Sequence, residues 1–288
     1  MSAAAISLVL AAALAHASWN LFSKQAAATG AVAFIWLVAV GAAIAYAPVA
    51  VGTAVLGHPS LTWRNWAFLA LTGALHTGYF LFLQSGYRLG DLSLTYPVGR
   101  GTGALLAAVA GIVLLGERPA PVQAAGIAAV IAGVVVIGWP TAGTRAAFSP
   151  GALAFAVTTG VFIACYTVCD KYAVSTLHTP PAIQGYPGYP VMAVAFAPFA
   201  LGRRDLVARV WQRFRPQVIG AALLSPLAYL LVLTALSFTA VSAVAPAREV
   251  SVVFAILLGR RMLGEAGLAR RLAAGAAIAA GIIAIALG

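Results

Sequence analysis

Ten times along 288 residues the chain runs for about twenty positions with few or no charges, the length a helix needs to cross the hydrocarbon of a bilayer. The runs lie near 4–23, 31–51, 66–87, 92–115, 121–139, 151–171, 181–201, 217–237, 241–259 and 270–287. A segment inside lipid must satisfy its own backbone, so each run has to be a helix. The expected class is therefore all-α integral membrane, with ten transmembrane helices. Composition points the same way, since 62% hydrophobic and 8% charged residues leave too little polar surface to keep a domain of this length in water. Seventeen basic side chains against six acidic ones face anionic lipid rather than a nucleic acid. The first run ends "ALAHAS" and resembles a cleavable signal, but no Lys or Arg precedes it, so it is expected to be a first span.

The two halves resemble each other. "SWNLFSK" (18–24) aligns with "CYTVCDK" (165–171), placing Trp19 on Tyr166 and Lys24 on Lys171. "SLTYPVGRG" (93–101) aligns with "SAVAPAREV" (242–250), and "LLGERP" (114–119) with "MLGEAG" (262–267). Three anchors in one order indicate duplication. The chain divides into residues 1–145 and 146–288, each holding five spans. An odd number of spans makes the two copies enter the membrane from opposite sides, giving two inverted five-helix repeats with a substrate site between them.

The ten spans in a five-plus-five duplication, the "WN…SK" end of the first span, and a "GE" turn before a Gly- and Ala-rich closing helix resemble the drug/metabolite transporter superfamily, EamA type. "YP-x-x-RG" and "P-x-RE" also resemble a smaller EamA branch associated with phosphonate utilisation. The resemblance implies a multi-pass protein of a bacterial-type inner membrane that moves a small-molecule substrate. It leaves the substrate open.

Arg100 is the most demanding residue. It lies eight residues into the run that opens at Leu92, at about 12 Å depth. An unpaired guanidinium there costs roughly 2.5–3.5 kcal/mol on insertion scales, so it must face protein or a watery cavity. The repeat superposes Arg100 on Glu249, and a pseudo-two-fold axis beside both helices would point them at each other. An ion pair across a central cavity is the expectation. Pro97 and Pro246 occupy equivalent places, where each removes a helix N–H and kinks its span next to the charged residue. Arg248 adds a second guanidinium about 100° around the helix from Glu249, which leaves the group net positive. Guanidinium forks suit carboxylate, phosphate or phosphonate, so the substrate expected is anionic or zwitterionic. The alternative for Arg248 is a purely structural bond to another helix.

Further substrate-binding candidates are His16 and Asn20 on the first span, His76 and Tyr79 on the third, and Tyr96, which shares a helix face with Arg100. Tyr166 and Tyr229 lack a charged neighbour on the same turn and rank lower. Asp170 adjoins Lys171 and reads as a neutralised pair. Glu117 and Glu265 sit in turns, where they are expected to accept bonds from the amides of the helix that follows. The small-residue faces of spans five and ten could pack on each other or mediate a homodimer.

Cys165 and Cys169 lie four apart with no further Cys or His to complete a metal site, and read as packing residues. No HExxH, paired membrane aspartates or Ser/His arrangement suggests an enzyme, and no phosphate-binding loop suggests ATP. Neither a metal nor a cofactor is expected. A lipid-linked substrate translocation accessory or membrane scaffold is the alternative to a secondary transporter. Basic residues concentrate in the odd-numbered connections, which include five arginines between 203 and 215. That puts both termini outside by the positive-inside rule, whereas the resembled superfamily is drawn with both inside. The 203–215 connection has the apolar face of an interfacial helix in Leu206, Val207, Val210, Trp211 and Phe214.

Overall fold

A side-chain oxygen at Ser2 accepts the Ala5 N–H at 3.2 Å and starts the first helix, α1 (Ala3–Gly57). The computed structural model describes residues 1–89, 92–138, 150–251, 254 and 268–287. Within these ranges it describes side chains other than those of 24, 27, 28, 84, 87, 88, 92–97, 137, 138 and 268–272. Gly30 is non-helical and divides α1 into two apolar segments, Ala3–Ser23 and Thr29–Gly57, each long enough to cross a membrane. The remaining elements of the first repeat are α2 (Trp63–Leu89), α3 (Leu92–Leu114) and α4 (Pro121–Gly138). α4 opens on proline, whose missing N–H costs nothing at a helix start.

The second repeat begins with α5 (Pro150–Ser175) and then departs from ten uniform rods. The seventh span is a short α6 (Pro181–Gln184) followed by α7 (Gly188–Leu201). The break spans Gly185 to Pro187, where Pro187 has no N–H for the carbonyl of Ile183. α8 (Arg204–Phe238) bends at Phe214 into an arm and a long apolar span. α9 (Val241–Ala247) stops at a turn over 248 and 249, and most of the expected ninth span beyond Ser251 lies outside the described residues, as does Glu265. α10 (Leu268–Leu287) closes the chain.

The arm over 204–214 corrects the interfacial reading. Val210 is fully buried, and Leu206 and Phe214 are partly buried against α1. A Cβ on Gly30 would stand 3.1 Å from Leu206, so Leu206, Val210 and Phe214 pack at the bend of α1, while Trp211 stays exposed.

Most packing runs between the repeats. α1 lies along α8, α2 along α5, α3 along α5 and α9, and α4 along α10. With no water to expel inside a membrane, such contacts depend on close fit and small residues. At the α4–α10 crossing, a Cβ on Gly126 would lie 2.5 Å from the carbonyl oxygen of Gly281, and one on Gly281 would lie 2.6 Å from that of Gly126. The two small-residue faces thus meet each other. Outside, Ile44, Leu56, Val113 and Val194 are each at least 70% exposed, an apolar exterior of the kind lipid covers. Arg203 sits over Phe199 at 4.8 Å and Arg215 over Trp211 at 5.5 Å, pairing basic and aromatic side chains as membrane interfaces do.

Substituting Gly281→Val should separate α4 from α10 and cost about 1–3 kcal/mol, as overpacking generally does. The check is a lower melting temperature in detergent, against little change for Gly52→Val, where a Cβ would meet nothing within 4 Å.

Candidate functional site

The centre of the molecule holds two arginines and a glutamate that are almost wholly buried, Arg100 at 3%, Arg248 at 4% and Glu249 at 1% exposure. α3 brings Arg100 in from the first repeat, and the turn after α9 brings Arg248 and Glu249 from the second. Arg100 Nε donates to Glu249 Oε2 at 3.1 Å and Nη2 to Oε1 at 2.7 Å, a two-pronged pair. It is the one ion pair between side chains among the described residues. Such a fork fixes direction as well as charge.

Pro246 lies buried in α9 two residues before the turn. There the ladder tightens, because the N–H of Glu249 bonds the Pro246 carbonyl at 2.9 Å and that of Ser251 bonds Arg248 at 3.2 Å. The tightening sets Glu249 against Arg100 and leaves Arg248 in the wall of the cavity. Gly99 and Gly103 let α3 lie close on α5, since a Cβ would reach 3.2 Å from the Ala156 carbonyl oxygen and 2.6 Å from Ile163 respectively. Pro97 falls within α3, but its side chain and that of Tyr96 lie outside the described residues.

A cavity opens beside this group, bounded by both repeats. Arg100 and Arg248 stand in its wall, with His16 and Trp19 from α1, His76 and Tyr79 from α2, Tyr166 from α5 and Tyr229 from α8. Glu249 sits behind Arg100 and is not in the wall. Asn20 is also absent from it, its Nδ2 donating to the His16 carbonyl one turn back at 2.7 Å. Trp19 Nε1 donates to His16 Nδ1 at 3.2 Å, so that nitrogen is an acceptor. His76 Nδ1 lies 2.9 Å from the Thr72 carbonyl oxygen, a bond only an N–H can make. The His76 ring stacks on Tyr166 with centroids 4.2 Å apart and meets Tyr229 edge-on at 5.0 Å.

Arg248 differs from Arg100 in lacking a carboxylate partner among the described residues. Its Nε and Nη2 are buried with no hydrogen-bond partner among the described residues. Among the described residues, two guanidinium groups share one carboxylate here, an excess of one positive charge.

Asp170 does not pair with Lys171. Its carboxylate is fully buried, accepts from Gln184 Nε2 at 2.8 Å and accepts from the Tyr229 hydroxyl. Lys171 Nζ instead donates to the carbonyls of Leu236 at 2.9 Å and Thr239 at 3.0 Å, at the end of α8. Consecutive helix residues diverge by about 100°, which is the signal that separates the two. Glu117 also differs from expectation. Gly116 takes a left-handed conformation with φ +68°, and Glu117 turns to accept from the N–H groups of Val241 at 2.7 Å and Ser242 at 2.8 Å. It caps α9 of the other repeat rather than α4. The α4 start is held by Gln123, whose Oε1 accepts from the Ala120 N–H.

The sequence model of the EamA-like transporter family matches residues 3–139 and again 150–287. The chain belongs to the EamA-like transporter family. It is a multi-pass membrane protein, and the family consists of transporters rather than enzymes. No curated protein matches the chain. A solved structure described as "Crystal structure of protein" resembles it with a TM-score of 0.72 at 20% identity, over 100% of this chain and 98% of that one. At that identity the likeness shows the fold alone.

A double-mutant cycle on the central pair checks its energetics. Arg100→Ala and Glu249→Ala should each cost about 3–5 kcal/mol by leaving a buried charge alone, and the double substitution less than their sum. Thermal unfolding in detergent measures all four corners.

Proposed function

We propose that this EamA-like protein is a secondary-active transporter of a small anionic or zwitterionic metabolite, an amino-acid-like compound, carboxylate or phosphonate. It works in a bacterial-type inner membrane, by alternating access around the central cavity. The observation carrying this reading is the pair of unpartnered nitrogens on buried Arg248 in the cavity wall. Leaving a guanidinium short of partners in a low-dielectric site is costly, and an oxyanion removes that cost by taking both N–H directions at once.

Arg100 has a different role. Its fork is occupied by Glu249, so it supplies positive potential at the cavity edge while its own charge is balanced. Tyr79, Tyr166 and Tyr229 with Trp19 provide apolar faces edged by polar groups, a surface suited to the body of a small organic solute. His16 and His76 offer ring nitrogens to its polar substituents.

A melting-temperature screen of the purified protein against carboxylates, phosphonates, amino acids and organic cations tests the reading. An anionic or zwitterionic compound at a hundredfold excess over its Kd should stabilise the protein by about 2.7 kcal/mol. The shift should vanish in Arg248→Gln and persist in part in Arg248→Lys. Stabilisation by organic cations that Arg248→Gln leaves undiminished would overturn it.

A further inference from the structure

Behind the cavity wall, away from the arginine pair, lies a second buried charge that the proposed anion contact does not use. Asp170 has no exposed surface and no cationic partner among the described residues. Its neighbour Lys171 is committed to the carbonyls that end α8. A carboxylate held in this way is costly unless it is paired or can take a proton.

We propose that the carboxyl of Asp170 is a reversible proton-binding site, relayed to the cavity by Tyr229, so that a proton is the ion that moves with the transported solute. The last step rests on the transport reading above; protonation of Asp170 does not.

The hydrogen-bond partners can serve both charge states. As a carboxylate, Asp170 accepts from Gln184 Nε2 through Oδ1 and from the Tyr229 hydroxyl through Oδ2. As an acid, its O–H donates back to the Tyr229 oxygen, and the Tyr229 hydrogen is then free to turn into the cavity that this side chain lines. Gln184 Oε1 is buried without a partner. Half a turn of that amide presents Oε1 in place of the Nε2 donor, an acceptor for the alternative acid that carries its proton on Oδ1 instead of Oδ2. The proton balance is closed, because one proton reaches the Tyr229 oxygen from cavity water as the one already there passes to Asp170, and the reverse returns it.

Every element packed on this carboxyl brings a group that senses the change. α2 contributes His76 and the Thr72 hydroxyl, which interacts with Asp170 and stands 3.2 Å from His76 Nδ1. α5 itself carries Tyr166, Cys169 and Lys171, α6 carries Gln184, and α8 carries Tyr229. Arg248 faces Tyr229 and His76 electrostatically from beyond α9. His76 touches both tyrosine rings, so a charge gained or lost at Asp170 acts on three cavity side chains together.

Infrared difference spectroscopy with stepped pH reads the site without any substrate. In an Asp91→Asn, Asp205→Asn background, Asp170 is the one remaining aspartate. Protein grown with carboxyl-labelled aspartate should then show the carbonyl band of a neutral acid that grows as pH falls and moves with the isotope. The band should be lost in Asp170→Asn, retained in Glu249→Gln and shifted in frequency in Tyr229→Phe. A labelled band that never titrates, or no labelled band at any pH, overturns the proton site. An unshifted band in Tyr229→Phe overturns the relay.

The coupling step uses whichever anion stabilises the protein in the screen. In liposomes, a pH gradient should drive its accumulation by wild type but not by Asp170→Asn, which should still exchange it across the membrane. Equal gradient-driven accumulation by Asp170→Asn would overturn the coupling. If no anion binds, the transport reading falls while the infrared result stands.

Discussion

The buried pair of Arg100 and Glu249 is the constraint around which the centre of the molecule is arranged. Neither group is tolerable alone in a low-dielectric interior, and each is supplied by a different repeat. The pair therefore fixes α3 against the turn after α9 with a directional fork, where apolar side chains alone would leave the register loose. Much of the nearby irregularity serves that contact. Pro246 ends the regular ladder, and the tight turn that follows sets Glu249 toward Arg100 while Arg248 faces the cavity.

Around this seam the two repeats interlock. α1 follows α8, α2 follows α5, and α4 follows α10, so neither half has a complete core by itself. The cavity belongs to both as a result. One side of it is positive, through Arg248 and the edge of Arg100. Another is lined by His76, Tyr166 and Tyr229, with Asp170 behind them.

The repeat carried most of what could be read in advance. Apolar runs and the five-plus-five duplication define the membrane fold, and the offset that aligns Pro97 with Pro246 also superposes Arg100 on Glu249. What escaped the sequence depends on directions in space. Adjacency in sequence pairs Asp170 with Lys171, yet adjacent helix residues point apart and each finds partners on other elements. Its place in a turn assigns Glu117 to the helix that follows, and the left-handed Gly116 sends it to α9 instead. A run of apolar residues from 181 to 201 hid the break at Pro187, since hydropathy counts side chains and not missing N–H groups. Asn20 shares a helical face with His16, but a carbonyl one turn away satisfied its amide first.

The cross-repeat cap has a mechanical consequence. Glu117 holds two amides at the start of α9 while Lys171 holds two carbonyls at the end of α8, so one short turn is gripped by opposite charges from opposite halves. Only the Glu117 grip crosses between the halves, and sliding them apart at this end cannot be gradual, because two α9 amides and the carboxylate lose their partners within the same small displacement. Such a joint behaves as a catch with a closed and a released position, and water entering the gap is what makes release affordable.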